Sequence, residues 1–145
     1  MSRISNFIST KITTQKLKSF VTTLKNQKEF DYTNKYSKKF YKKHFTLVVS
    51  EKNINALHQS NNSNASQEVY SHTLSYGMKV GKKYSKKAVI RNKTKRRIHH
   101  MVRYLFNENV IPQKIKSIII IPKNNFHSAN FSVLIQKFAN IFKLY

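Results

Sequence analysis

The chain has 145 residues, with 28 Lys and Arg against 5 Asp and Glu, a formal net charge of +23 and no cysteine. The length suits one domain, and the lack of cysteine excludes a disulfide framework and a thiolate zinc site. A positive surplus this large favours a polyanionic partner, while the 39% apolar content, with 10 Phe and 8 Tyr, separates the chain from a disordered basic tail.

The first 28 residues hold no acid, and Ile4, Phe7, Ile8, Ile12, Leu17, Phe20, Val21 and Leu24 recur at helical intervals. Two readings stay open for this stretch: a transit-like segment, or a basic extension over residues 1–23 preceding a domain over residues 24–145. Asn26 with Glu29 three residues on reads as an N-cap and its reciprocal partner, opening a helix to about Tyr36. A strand is expected over residues 41–49, where Phe45, Leu47 and Val49 alternate with His44, Thr46 and Val48. The Asn- and Ser-rich residues 50–67 read as a long, flexible, exposed hairpin connection. Strands follow over residues 68–72 and 74–80, then a basic loop over residues 82–87.

A helix is expected over residues 87–106, with Ile90, Thr94, Ile98, Met101, Val102 and Leu105 as its inward stripe. Residues 107–112 end it, since Pro112 cannot continue a helix. The apolar run of residues 115–121 reads as a strand buried on both faces. The last helix carries Phe131, Leu134, Ile135, Phe138, Ile141, Phe142 and Tyr145 on one face. The order α-β-β-β-α-β-α describes an α+β sandwich with helices on one side of a central sheet.

The five acids, Glu29, Asp31, Glu51, Glu68 and Glu108, are scattered. Neither a metal pair nor a general acid/base pair is expected from them, so no catalytic residue and no metal ligand is assigned. No apolar run approaches the roughly 20 residues that span a bilayer, and no membrane partner is expected.

Function concentrates between Lys79 and Arg103, where eleven cations occur without an acid. Within the helix Arg91, Lys95, His99 and Arg103 lie four apart along one ridge, with Asn92 and Arg96 beside it. Like charges at this spacing destabilise an isolated helix by a few tenths of a kcal/mol per pair, about what packing or a polyanion can offset. A solvated helix face usually mixes both signs, and this face has one. The pattern points to nucleic acid and does not by itself separate RNA from DNA.

The run from Lys82-Lys83 through Ala88-Val89-Ile90 to Arg91-Asn92-Lys93-Thr94-Lys95-Arg96 resembles the signature of the bacterial ribonuclease P protein component. That signature is K-K, a short Gly/Asn-containing loop, A-V, a variable residue, then R-N-x-x-K-R-x-x-R. Residues 24–30 (LKNQKEF), 45–49 and 117–123 are similar to the family's opening helix, first strand and last strand. The match runs from about Leu24 to Tyr145, leaving out the Asn/Ser loop. The chain departs from the pattern in having His99 as the last motif position, Lys86-Lys87 in place of Gly-Asn, a loop one residue longer, and Asn34 where a second aromatic is common.

The resemblance implies a left-handed β-α-β crossover around the motif helix, against the right-handed rule that holds in about 98% of cases. It implies RNA binding, with DNA excluded, through Lys82, Lys83, Lys87, Arg91, Asn92, Lys95, Arg96, His99 and Arg103. It also implies two partners, the catalytic RNA subunit and precursor tRNA, whose 5′ leader would lie on a surface of Phe30, Tyr36, Phe45, Lys35 and Lys43. Cleavage would fall to the RNA with Mg²⁺, the protein holding no cofactor of its own, in the cytoplasm. A ribosomal-type structural RNA-binding protein is the alternative; it shares the charge and layout but does not account for the ordered match from Ala88 to Arg96.

Overall fold

The computed structural model describes residues 18–54, 70–123 and 125–145. Residues 55–67 of the expected Asn/Ser connection, and the expected strand start at residues 68–69, lie outside them. Among the described residues the elements are β1 (Lys18–Thr23), α1 (Gln27–Lys35), β2 (Ser37–Tyr41), β3 (Phe45–Ser50), β4 (Tyr70–Met78), α2 (Ala88–Asn107), β5 (Ser117–Pro122), a 3₁₀ turn (Phe126–Ser128) and α3 (Phe131–Phe142).

Asn26 caps α1 as read, but the return bond of Glu29 goes one residue earlier than the N-cap. The Glu29 N–H donates to the Asn26 side chain at 3.1 Å, while the Glu29 carboxylate accepts from the Lys25 N–H at 2.6 Å. At α3, Asn130 accepts from the Val133 N–H at 3.2 Å. The strand expected over residues 41–49 divides into a hairpin. Here β2 pairs antiparallel with β3, Lys38 opposite Val49 and Phe40 opposite Leu47. The turn between them carries no Gly or Pro, so the usual turn chemistry is missing from the sequence. The two expected strands over residues 68–80 are one, β4.

The sheet order is β1-β4-β5-β3-β2. Strand β5 runs parallel to β4 and antiparallel to β3, so the connection from β3 to β4 joins strands that are not neighbours and is no hairpin. Helix α2 links the parallel pair β4 and β5. Residues 18–23, read by periodicity as helical, form an edge strand parallel to β4, Val21 opposite Leu74. Pairing with a distant strand overrides local pattern here.

Phe45, Leu47, Val49, Leu74, Tyr76, Ile118 and Ile120 form one face with the buried residues of α2 and α3. Val48 and Ile119 belong to the other face, packed with Leu24, Ile54 and the partly buried Phe30 and Tyr32. The α+β class is as expected, but the helices are not confined to one side, because α1 covers the second face. The cause is legible in β3 and β5: strands apolar on successive residues must be covered on both faces.

Gly77 is where α1 meets the sheet. A Cβ there would lie 2.6 and 2.7 Å from two Phe30 ring carbons and 2.9 Å from a Leu24 methyl. Gly77→Ala is therefore expected to cost about 1–3 kcal/mol of overpacking. Thermal unfolding checks this, and pairing it with Phe30→Leu should recover part of the loss.

Candidate RNA interface

Helix α2 buries Thr94, Ile98, Met101, Val102, Leu105 and Phe106 against the sheet, the expected stripe with Phe106 added and Ile90 only half-buried. Its opposite face carries Asn92, Lys93, Lys95 and Arg96 in solvent, and the preceding loop exposes Lys82, Lys83 and Lys87. The loop is held from beneath. The Tyr84 hydroxyl accepts from the His127 N–H at 3.0 Å and lies 2.9 Å from that ring's Nδ1. Arg91 is half-buried, and its guanidinium donates to the carbonyls of Ser85 (3.0 Å) and Lys86 (2.9 Å). It therefore clamps the loop to the first turn of α2 while adding charge. Beside the loop a groove of about 990 Å³ is lined by Lys79, Lys82, Lys83 and Lys123 over Val80, Tyr84 and Ile121.

Not every cation of the run faces outward. Arg97 donates to the carbonyls of His127 (2.6 Å) and Ala129, and its guanidinium lies 5.7 Å from the Phe131 ring centre. It fastens α2 to the start of α3. Nothing in the sequence distinguishes Arg97 from Arg96, because the difference lies in what the next element offers.

His99, expected among the RNA contacts, is engaged by Tyr76. It is half-buried, its Nδ1 lies 2.5 Å from the Tyr76 hydroxyl, and the rings meet edge-on at 5.5 Å. Burial first, and Arg103 second, hold its pKa below 6.5. Burial raises the Tyr76 pKa against the opposing pull of Arg103, which also hydrogen-bonds it. The phenol therefore stays protonated, accepts from Arg103 and donates to Nδ1, leaving the imidazole proton on Nε2. At neutral pH the ridge has a neutral member at His99, and the exposed Arg103 beyond it is steered by Tyr76. Tyr76 carried no signal in the sequence.

A histidine whose pKa is depressed on folding confers stability that is present above the unfolded value of 6.5 and lost as pH falls through the folded value. The unfolding midpoint is expected to fall between about pH 7.5 and about pH 5.5, with a component that His99→Gln removes. Calorimetry of both proteins across that range measures it; equal pH slopes would rule out a buried neutral His99.

The expected leader surface loses Phe45. Phe45 is fully buried, stacked on Phe138 at 4.1 Å and 11° and edge-on to Phe126 at 6.4 Å. It belongs to the face under α2 and α3, whereas Phe30 lies on the opposite face against Gly77. Tyr36 is 43% exposed at the end of α1, with the Lys35 ammonium 5.3 Å from its ring centre. Lys43 is exposed in the β2–β3 turn. Phe45 therefore leaves the contact set, while Tyr36 packs at 5.0 Å on Tyr32, which shares the second face with Phe30.

The family model described as Ribonuclease P matches residues 21–145. The chain belongs to the ribonuclease P protein family. It is 45% identical over 115 residues to the ribonuclease P protein component of Rickettsia bellii, covering 79% of this chain and 86% of that protein. It is 42% identical over 125 residues to that of Rickettsia canadensis, covering 83% and 94%. The fold resembles the ribonuclease P protein of Thermotoga maritima, with a TM-score of 0.59 at 23% identity over 85% of this chain and 96% of the other. It also resembles that of Staphylococcus aureus, with a TM-score of 0.52 at 18% identity over 84% and 93%.

As a ribonuclease P protein component, the chain is a subunit of an endoribonuclease ribonucleoprotein serving tRNA 5′ maturation, and the ribosomal-type alternative is not favoured. Among the described residues no group of three or more His, Asp or Glu gathers to hold a metal. No described helix is long and apolar enough to cross a membrane.

Proposed function

We propose that this ribonuclease P protein docks on the catalytic RNA subunit through the outer face of α2 and the loop before it. Asn92, Lys95 and Arg96, with Lys82, Lys83 and Lys87, would be the main contacts, and Arg91 and Arg103 would be contacts held in place by the fold. The observation that carries the reading is the division of α2: one stripe buried against the sheet, the other of a single charge sign and open to solvent. Fixed cations that displace condensed counterions from phosphates bind RNA with little regard to base sequence.

Precursor tRNA is the second proposed partner. Its single-stranded leader would be met by Phe30 and Tyr36 with Lys35 and Lys43, since unpaired bases offer their faces to aromatic rings beside cations. Cleavage is assigned to the RNA. The scattered carboxylates of this chain make poor Mg²⁺ ligands, whereas phosphate oxygens suit that hard cation. The protein's share is to neutralise phosphates and position the substrate, in the cytoplasm, where a cysteine-free chain meets no redox demand.

Reconstitution tests this. The protein with Mg²⁺ and no RNA subunit is expected to leave precursor tRNA intact, and adding a ribonuclease P RNA to restore 5′ processing at low Mg²⁺. Maturation by the protein alone, surviving a contamination control, would overturn the division of labour. Within the holoenzyme, Phe30→Ala should weaken leader-bearing substrate and spare mature tRNA, provided its folding is verified.

A further inference from the structure

A second groove, of about 550 Å³, is lined by Lys35, Tyr36, Lys38, Val49, Lys52 and Tyr145 with the Glu51 carboxylate at its margin. Lys38 stands opposite Val49 in the β2–β3 ladder, which puts it on the face covered by α3. Two tyrosine rings line the groove, and each carries two ammonium groups. Lys35 and Lys52 lie 5.3 and 5.9 Å from the Tyr36 ring centre, and Lys38 and Lys114 lie 5.7 and 5.6 Å from that of Tyr145. Tyr36 is 43% exposed, while Tyr145 is half-buried and braced edge-on against Phe40 at 6.4 Å. Burial, and then Glu51, raise the Tyr145 phenol's pKa, so this ring stays neutral.

An exposed ring and a half-buried one, each flanked by cations, suit a flat, electron-rich face linked to anions. Four lysines against one carboxylate make an excess that the chain does not neutralise locally. The volume falls within the ~300–1,000 Å³ of small-molecule sites, so it holds a nucleotide-sized group and not a helix. A duplex hides its base faces in the stack, whereas a single strand presents them. An acidic peptide would engage the lysines and leave the rings without a role.

We propose that this groove binds an unpaired nucleotide of RNA, its base stacked on Tyr36 and its flanking phosphates held by Lys35, Lys38, Lys52 and Lys114, with Tyr145 closing the far wall. The inference rests on the reading that the chain works on RNA, and deepens it by pairing Tyr36 with Tyr145 in a groove that α2 does not line. Stacking accounts for the choice of single strands, and the lysines for the indifference to base identity.

The test uses the full chain and a thiouridine-bearing single-stranded RNA of about ten nucleotides. Photocrosslinks are expected at Tyr36 or Tyr145. Tyr36→Ala should lower affinity for this RNA about tenfold while Tyr36→Phe retains it, because the ring and not the hydroxyl does the stacking. Lys52→Ala should reduce the log–log salt slope by about 0.7. Tyr36 carries the test, since Tyr145 also braces β2. Crosslinks confined to α2 and its loop, or Tyr36→Ala binding within twofold of the parent, would overturn the groove. Arg96→Ala titrated against the RNA subunit separates the two readings. If it still weakens that complex while Tyr36→Ala is silent, the groove alone falls; if both are silent, the RNA-docking reading falls too. In the holoenzyme, a Tyr36→Ala deficit restricted to leader-bearing substrate identifies the leader as the strand bound. An equal deficit with and without leader identifies an unpaired segment of the RNA subunit.

Discussion

Phe45→Ala is expected to cost about 3–5 kcal/mol of folding free energy and to weaken every RNA interaction of the protein together. The ring is fully buried between Phe138 and Phe126, on a strand held between β2 and β5. Its removal leaves a cavity that two neighbouring elements cannot close without breaking the ladder. Set against the 5–15 kcal/mol that holds a typical domain together, about a fifth of the margin or more would go. Urea unfolding gives the magnitude, and titrations with precursor and mature tRNA give the pattern. A variant of parental stability that lost only the leader-dependent part of binding would contradict the buried position.

The Lys95→Ala, Arg96→Ala double variant should behave in the opposite way. Both side chains are exposed, so stability should stay within about 0.5 kcal/mol of the parent. Affinity for the RNA subunit should fall by roughly tenfold to a hundredfold, on the scale of charge-assisted hydrogen bonds. The log–log salt slope should flatten by about 0.9 for each phosphate of duplex-like RNA that is no longer neutralised. Arg97→Ala is the internal contrast. Its guanidinium is committed to the carbonyls of His127 and Ala129, so it should lose stability and keep the slope of whatever fraction folds. Identical salt slopes for the double variant and the parent would mean that charge acts diffusely, without a docking face.

These contrasts follow what the sequence could and could not carry. The stripes of α2 and α3 were legible because 3.6-residue periodicity is a local property, and so was the Asn26–Glu29 cap. The motif from Lys82 to Arg96 was legible because contiguous residues carry it. What failed was non-local. Strand β1 exists because β4, some fifty residues on, pairs with it, and Phe20, Val21 and Leu24 alone fit a helix equally well. Alternation separated Phe45, Leu47 and Val49 from Thr46 and Val48, but not which set would meet solvent; both are covered. His99 looked like a weakened arginine until Tyr76, 23 residues earlier, supplied the hydroxyl that keeps it neutral. Tyr145 gained its place beside Tyr36 only because Phe40 holds it at the edge of the sheet.

The position of β5 between β4 and β3 also sets an order of events during synthesis. The middle strand of the sheet is the last to leave the ribosome, so the ladders β1–β4 and β2–β3 must wait, each with an open edge, for Ser117–Pro122 to fill the gap. Helix α2 precedes that strand in the chain. The nascent protein therefore presents its cations before the sheet that will support them has closed. Pairings so distant in sequence make closure a slow step. RNA that binds only the finished surface favours the closed sheet by mass action, and so acts as a late ligand for its folding.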